Sequence, residues 1–493
     1  MKLQDFNPLN IMDNLSNNLR KNIINKIVIE LKKKKEIKSL TFVGSFVDKK
    51  NYKKINDIDL IVIIDRLNKK AFNSCINTIM KVNPSKLGIS RNQLKINSSF
   101  GPLKFNNYDN EIVIHLMIYD IKGHIDHVIK SPFTVFDWER SNHYKIKKLK
   151  DIFPTGTLQL RDFIESRRGT ENYLNDLFNK KISFREYGFV GKTYFTKKLN
   201  QNLIDRDKFE YIYHIVKNLI LNYIKFKKQN NKLIIFNKNN KEIKSKLGIK
   251  FFNKNIKKIN TLIDCKNKVN NYKNSYFDSW IILFVKDFKK IINDDYKNSK
   301  KIIFYRHAKT ILNEDTFLGQ KLNPNILLSK KIEKKLKFDI IFSSPLKRAI
   351  QTIKLITKNK KYLIDKNLSE INYGEAEGLN FKKLKKKFPK IINMWQKGKD
   401  PSFPKGESHY DINLRKKSFI KKIKKINFKH SCVITHNVFI RCLIGESFNI
   451  DKKDWFKINI PHLFPLEFVV LNNQFYPNIP RSDLKILFSN LLK

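Results

Sequence analysis

The chain has 493 residues, 41% of them hydrophobic, with 100 Lys and Arg against 45 Asp and Glu and a formal net charge of +55. A chain of this length exceeds what a single core usually serves, so two or three domains are expected. Cys75, Cys265, Cys432 and Cys442 have no CxxC spacing and support neither a disulfide framework nor a zinc site, and no apolar run nears the roughly 20 residues of a membrane span.

The charge alone does not select nucleic acid as a partner. Only 14 of the basic residues are arginine, only 4 residues are alanine, and Lys, Asn and Ile fill every kind of segment, which is the mark of AT-biased coding. Most of the charge therefore reads as drift on solvated faces, and attraction to anionic partners is the lesser reading. The N-terminus MKLQDFNPLNIMDNL has acids where a signal peptide would have its apolar core, so a soluble, cytoplasmic protein is expected.

In chain order, residues 14–36 read as a basic amphipathic helix. A strand over Ser39–Val47 runs into a Gly-Ser turn, and DIDLIVII at Asp57–Ile64 is a second strand. Further strands are expected at Lys104–Tyr108 and Glu111–Tyr119, the latter alternating Ile112, Ile114, Leu116 and Ile118. These make an α+β domain over residues 1–150. Over 151–298 the runs DFIESRRGTENYLNDLF, FEYIYHIVKNLILNYIKF and YFDSWIILFVKDFKKII recur at helical spacing without clear strands, which predicts a helical middle domain with Lys/Asn-rich loops between 226 and 275. From 299 to 493 strands and helices alternate: KIIFY, then DIIF before Ser343-Ser344-Pro345, then SCVIT. That pattern predicts a mostly parallel sheet with ligands at the carboxyl ends of its strands.

The third domain carries FYRHAKTILNEDTFLGQ, IIFSSPLKRAIQTI, LSEINYGEAEGL, FPKGESHYDINLR and CVITHNVFIR. Together these resemble the histidine phosphatase superfamily in motif order, spacing and flanking strands, which implies a three-layer α/β fold like that of phosphoglycerate mutase. The resemblance implies that His307 is the phospho-accepting histidine, Arg306 and Arg348 are phosphate clamps, His436 is a second histidine against the phosphate, and Glu370 is the general acid. Asn313, Gly319 and Glu407 fall at substrate-binding positions. The chemistry suits the residue types: imidazole is basic yet neutral near pH 7, and the planar, permanently charged guanidinium matches phosphoryl oxygens. Finding arginine at both clamp positions in a lysine-rich chain favours function over drift. Two departures, Ala308-Lys309 after the histidine and the short NPNILLSKKIEKKLK stretch, leave the small phosphorylated substrate and the choice between phosphatase and mutase open. No cofactor is expected for this domain.

TFVGSFVDKKNYKKINDIDLIVIID resembles the nucleotidyltransferase superfamily. The resemblance implies that Gly44 and Ser45 approach a nucleoside triphosphate. Asp57 and Asp59, on one strand face, would bind Mg2+ or Mn2+. The usual third carboxylate has no clear counterpart in EIVIHLMIYD, where His115 takes the middle. The sequence thus predicts a phosphohydrolase working through phosphohistidine, fused to a nucleotidyltransferase-like domain. The alternatives are a phosphatase with an inactive nucleotide-binding module and a basic RNA end-processing enzyme. The last is disfavoured because no aromatic RNA platform is visible.

Overall fold

The computed structural model describes residues 17–47, 57–82, 94–100, 112–139, 142–143, 147–203, 205–230, 232, 234–267, 275–312, 316–327 and 336–491. The chain forms two compact units, Met1–Leu158 with Asp162–Ile291, and Gln159–Arg161 with Ile292–Lys493.

In the first unit, helix α1 (Asn17–Lys32) precedes β1 (Ile37–Val43), β2 (Asp57–Ile64), α2 (Lys69–Met80), β3 (Leu94–Asn97), β4 (Ile112–Asp120), α3 (Ile121–Lys130) and the short β5 (Asn142–His143). The sheet order is β3-β4-β2-β1-β5, with β3, β4 and β2 parallel and β1 antiparallel to both neighbours. The sequence dictates how it packs. Ile24, Ile27, Val28 and Leu31 recur at helical spacing along α1, and Ile58, Leu60, Val62 and Ile64 share one face of β2; both sets are buried in one cluster with Phe72, Cys75 and Ile79 of α2. The strand expected over 39–47 stops at Val43 because Gly44, at φ +73°, opens a 3-10 turn over Gly44–Val47. The strand expected at 104–108 lies outside the described residues.

The middle segment departs from the expectation of helices alone. Lys181–Val190 (β6) and Thr193–Asn202 (β7) form an antiparallel hairpin. Its alternation is hard to see in the sequence because both strands are largely half-buried or exposed, with Ile182 the one fully buried residue of the hairpin, so neither strand shows a clean contrast between an apolar and a polar face. The helical texture holds elsewhere in α4 (Asp205–Lys228), α5 (Ile249–Asn267) and α6 (Ser275–Asn298). Part of the stretch expected to be loops is α5, where Phe251, Ile259, Leu262 and Ile263 are buried at helical spacing despite the Lys/Asn background.

The second unit has the sheet β10-β9-β11-β8-β12-β13, built from β8 (Lys300–Arg306), β9 (Ile340–Ser343), β10 (Leu363–Ile364), β11 (His430–Thr435), β12 (Leu466–Leu471) and β13 (Gln474–Pro477). The first four in that order are mutually parallel, and β12 and β13 are antiparallel. Helices α7 (Lys347–Ile356), α8 (His409–Lys425) and α9 (Asn437–Ser447) complete an α/β unit, as the alternation predicts. Thr435 pairs with Arg306 and Ile434 with Ser343, so β8, β9 and β11 end side by side at one edge. No helix among the described residues is long and apolar enough to cross a membrane.

Helix α8 starts at a reciprocal cap: Asp411 N–H donates to Ser408 Oγ at 3.3 Å, and Ser408 N–H donates to Asp411 Oδ2 at 2.8 Å. Ser408→Ala is expected to lower unfolding free energy by about 1 kcal/mol, the usual worth of such a cap. Chemical denaturation of the variant checks this; an unchanged midpoint would show that the cap contributes nothing.

Candidate active site

Each strand end at this edge delivers a polar residue to one place. His307 follows β8, Ser344 follows β9, and His436 follows β11 and leads α9. His307 N–H donates to Thr435 O at 3.0 Å, and Ser344 N–H donates to Ile434 O at 3.0 Å, so backbone bonds continue the register past the last strand residues. His307 and His436 are 2% and 0% exposed, and their ring centroids stand 5.0 Å apart.

The protonation of His307 follows from its partners. Its Nδ1 lies 2.7 Å from the Ala308 carbonyl oxygen, which can only accept, so Nδ1 carries the proton. Nε2 then accepts from Arg348 Nε at 3.3 Å. Burial, followed by the nearby Arg348 charge, holds the imidazole well below its ordinary 6.5. The ring is therefore neutral, with the Nε2 lone pair exposed to whatever takes the place of Arg348. His436 Nε2 lies 2.7 Å from Ser344 Oγ, which also accepts from Leu346 N–H. His436 Nδ1 is buried without a partner, as is Arg306 Nε.

The arginines are fixed by carbonyls and form no ion pair with a carboxylate among the described residues. Arg306 Nη1 donates to Ile460 O at 2.8 Å, while Arg348 Nη1 and Nη2 donate to Leu322 O at 3.2 Å and Gly319 O at 2.7 Å. Burial pulls Arg306 down to about 10 and lowers Arg348 as well. Donors that lack partners, in a place this dry, form a socket for an anion.

Glu370 is 4% exposed, and its carboxylate accepts from Ile371 N–H at 3.0 Å, Asn437 N–H at 3.1 Å and Val438 N–H at 3.2 Å. The acid thus caps the first turn of α9. Burial raises its pKa, and the N–H bonds together with Arg348 and Arg306 oppose that rise. A carboxyl balanced in this way can give up a proton and take one back.

The structure brings together Arg306, His307, Arg348, Glu370 and His436. Gly319 belongs to the same assembly through its carbonyl, and its backbone is so close to neighbours that a Cβ would stand 2.7 Å from Glu377 Oε2. Asn313 lies outside the described residues. Glu407, expected at the substrate rim, has both oxygens taken: Arg415 grips it at 2.9 Å from Nε and Nη2, and Asn372 N–H donates to it at 2.8 Å. It braces the loop that carries Glu370, with Arg415 also donating to the carbonyls of Asn367, Ser369 and Glu370.

Three contributors escaped the sequence reading. Glu377 accepts backbone N–H bonds from Gly319, Gln320, Lys321 and Leu322 at 2.7–3.2 Å, and so holds the loop whose carbonyls hold Arg348. His462 Nδ1 donates to His307 O at 2.6 Å; burial brings its pKa down to about 4, leaving a neutral ring 5.4 Å from that of His307. Arg441, held by Ile458 O at 2.8 Å, is half-buried within electrostatic reach of Glu370 and Tyr373. Glu377 and Arg441 sit inside quoted motifs and could have been noticed; a lone histidine after proline at 461–462 gives no signal.

In the first unit Gly44 and Asp59 meet, since a Cβ on Gly44 would lie 2.3 Å from Asp59 Oδ2. The side chains of Ser45 and Asp57 lie outside the described residues. His115 is directly across the strands from Asp59, with Nδ1 3.0 Å from Asp59 Oδ1 and Nε2 2.7 Å from Ser99 O. An imidazole thus stands on the strand where the resemblance implies a third carboxylate, and the described residues, which leave out the Asp57 side chain, contain no group of three or more metal-ligating side chains.

Comparison with known proteins bears on the second unit. Residues 302–472 match the family described as Histidine phosphatase superfamily (branch 1). The chain is 26% identical over 158 residues to the putative phosphoserine phosphatase 2 of Hydrogenobacter thermophilus, covering 29% of this chain and 77% of that protein. It is 24% identical over 205 residues to the fructose-2,6-bisphosphatase of Saccharomyces cerevisiae, covering 39% of this chain and only 43% of that one. Among solved structures, a putative alpha-ribazole-5'-P phosphatase from Escherichia coli aligns with 37% of this chain and 96% of its own at 16% identity and a TM-score of 0.33. The region from 302 to 472, with its parallel sheet and its paired histidines, belongs to the histidine phosphatase superfamily and has the phosphoglycerate mutase-like α/β fold.

Proposed function

We propose that the second unit is a metal-independent phosphohydrolase for small phosphorylated metabolites, acting through a phosphohistidine on His307. The observation that carries this reading is the neutral, oriented His307 beside the buried Arg348, the half-buried Arg306 and a second buried ring, His436, whose Nδ1 has no partner. An arriving phosphoryl group takes the place of the Arg348–His307 contact, and Arg306, Arg348 and His436 donate to its oxygens.

His307 Nε2 then attacks phosphorus and forms the N–P bond as the ester P–O bond breaks. Protonated Glu370 passes its proton to the leaving oxygen. The Ala308 carbonyl keeps Nδ1–H and stabilises the positive charge that develops on the ring. In the second half, Glu370 takes a proton from water, whose oxygen attacks phosphorus; the N–P bond breaks and inorganic phosphate leaves. The N–H bonds from α9 stabilise the carboxylate between the two halves. Relatives named as phosphatases support hydrolysis as the reaction class. The nucleotidyltransferase resemblance of the first unit stays outside this proposal, because His115 occupies Asp59.

His307→Ala is expected to abolish both turnover and an acid-labile, base-stable label in rapid-quench experiments; turnover at the parent rate would refute the mechanism. Glu370→Gln should slow alkyl phosphate hydrolysis by ~10² to 10⁴ and affect nitrophenyl phosphate far less, because that leaving group needs little protonation. Chelation with EDTA should leave nitrophenyl phosphate hydrolysis in place, and a chelator-sensitive rate restored by added metal would count against the metal-free chemistry.

The pH profile follows from the two shifts. Since His307 is depressed below 6.5, its lone pair survives as pH falls through 6.5, and nitrophenyl phosphate hydrolysis should persist where an ordinary histidine would be half protonated. Since Glu370 is raised above 4.5, its acid form persists to higher pH, and alkyl phosphate hydrolysis should fall as pH rises through that raised value. Rate profiles should lose this alkaline limb in Glu370→Gln; a limb that remains would assign it to another group.

A further inference from the structure

The first unit contains a cavity of about 480 Å³ at the carboxyl ends of the parallel strands β2 and β4. Arg66 follows β2, and Asp120 ends β4 where α3 begins. Open parallel sheets bind ligands at such an edge. It is the opposite end of β2 from Asp59, roughly 20 Å away at about 3.3 Å per residue.

The lining is graded from buried to exposed. Tyr119 and His127, 4% and 7% exposed, form the floor. His127 stacks on Trp138 with ring centroids 4.9 Å apart, and its Nδ1 lies 3.3 Å from Tyr119 Oη. Burial pushes the Tyr119 phenol up and holds His127 well below 6.5, so both groups are neutral. His127 Nε2 is buried without a partner, and it is a donor to an anion in the tautomer whose Nδ1 accepts from the Tyr119 hydroxyl.

Half-buried Arg167 and Arg185 form the wall. Arg167 Nη1 reaches only the Ser131 hydroxyl at 3.3 Å, and the Arg185 guanidinium lies 5.3 Å from the Phe100 ring centre; neither forms an ion pair among the described residues. Burial brings Arg167 down to about 10, with repulsion from Arg185 the next cause. Exposed Lys122 and Lys130 stand at the mouth. Of the lining side chains six are cationic and two, Asp120 and Asp126, are acidic, and Asp120 already accepts from Gly123 N–H and Tyr194 Oη.

Two neighbouring guanidiniums without a carboxylate partner among the described residues, and a buried ring nitrogen without any partner, are stable together when an anion sits among them. We propose that this cavity is a second phosphate site, taking a small organic phosphate with at least two negative charges, held by Arg167, Arg185 and the Nε2–H of His127. Its size fits a metabolite, within the usual 300 to about 1,000 Å³ of such pockets and well beyond a lone phosphate ion. A polymeric nucleic acid would engage the lysines of the mouth and leave the floor donor unmet.

The test is equilibrium dialysis of labelled pyrophosphate against the full chain and against Arg167→Gln/Arg185→Gln. The double variant is expected to lose one saturable site per chain while nitrophenyl phosphate hydrolysis stays within about twofold, as for a site in a separate unit. That hydrolysis, measured on the same preparations, reports the C-terminal pocket separately. Because two repelling charges are removed, the thermal midpoint without pyrophosphate should not fall. Should the double variant not fold, Lys122→Glu/Lys130→Glu changes only exposed residues and should weaken the same site about tenfold through lost attraction. Unchanged stoichiometry and affinity in whichever variant folds would overturn the proposal. So would a site that takes an oligoribonucleotide without terminal phosphate and refuses pyrophosphate.

Discussion

Keeping Arg306, Arg348, His307 and His436 out of water in one place, with Glu370 as the near acid, is the constraint on which the second unit depends. Left to itself such a cluster would flood or fly apart, since isolated buried charge costs many kcal/mol. Three devices prevent this. Parallel register brings three strand ends to one edge. Backbone carbonyls, rather than carboxylates, satisfy the guanidiniums, so their charge is not cancelled. The histidines stay neutral because burial and the arginines both oppose a further proton. The fold thereby stores an unmet demand for negative charge, which a phosphoryl group answers.

Much of this was legible in the sequence, because the elements that matter are short, apolar and followed at once by their polar residue. KIIFY-Arg-His and SCVIT-His read directly as strands with a residue at the tip, and the structure places them side by side. What was not legible is whatever depends on a partner far along the chain. Glu407 looks like a rim residue until Arg415 is seen gripping both of its oxygens, and His462 has no local pattern. The hairpin over 181–202 was hidden for another reason: with Ile182 its one fully buried residue, it has no strict alternation of apolar and polar positions to mark it.

The first unit shows how the same substitution of residue types reshapes a site. Gly44 and Asp59 keep the close approach that a turn over a carboxylate requires, yet β4 brings an imidazole to Asp59. The cationic lining of this unit's cavity lies at the other end of the sheet, where β6 contributes Arg185 and the turn after it Lys192. Its donors resemble those of the second unit in kind: guanidiniums half out of water and a histidine with one nitrogen unanswered.

Glu377 separates two demands that usually conflict. By fastening the backbone at 319–322 it fixes the carbonyls that aim Arg348, while Asn323 and Ile326 tie the chain just beyond to α7 through Lys347 N–H and the Gln351 side chain. Because the backbone is held through its own groups, the exposed side chains of Lys321 and Leu322 can change without moving the clamp. A lineage built on this arrangement can revise which alcohol or acid it accepts beside the phosphoryl group while the part that handles phosphorus stays still.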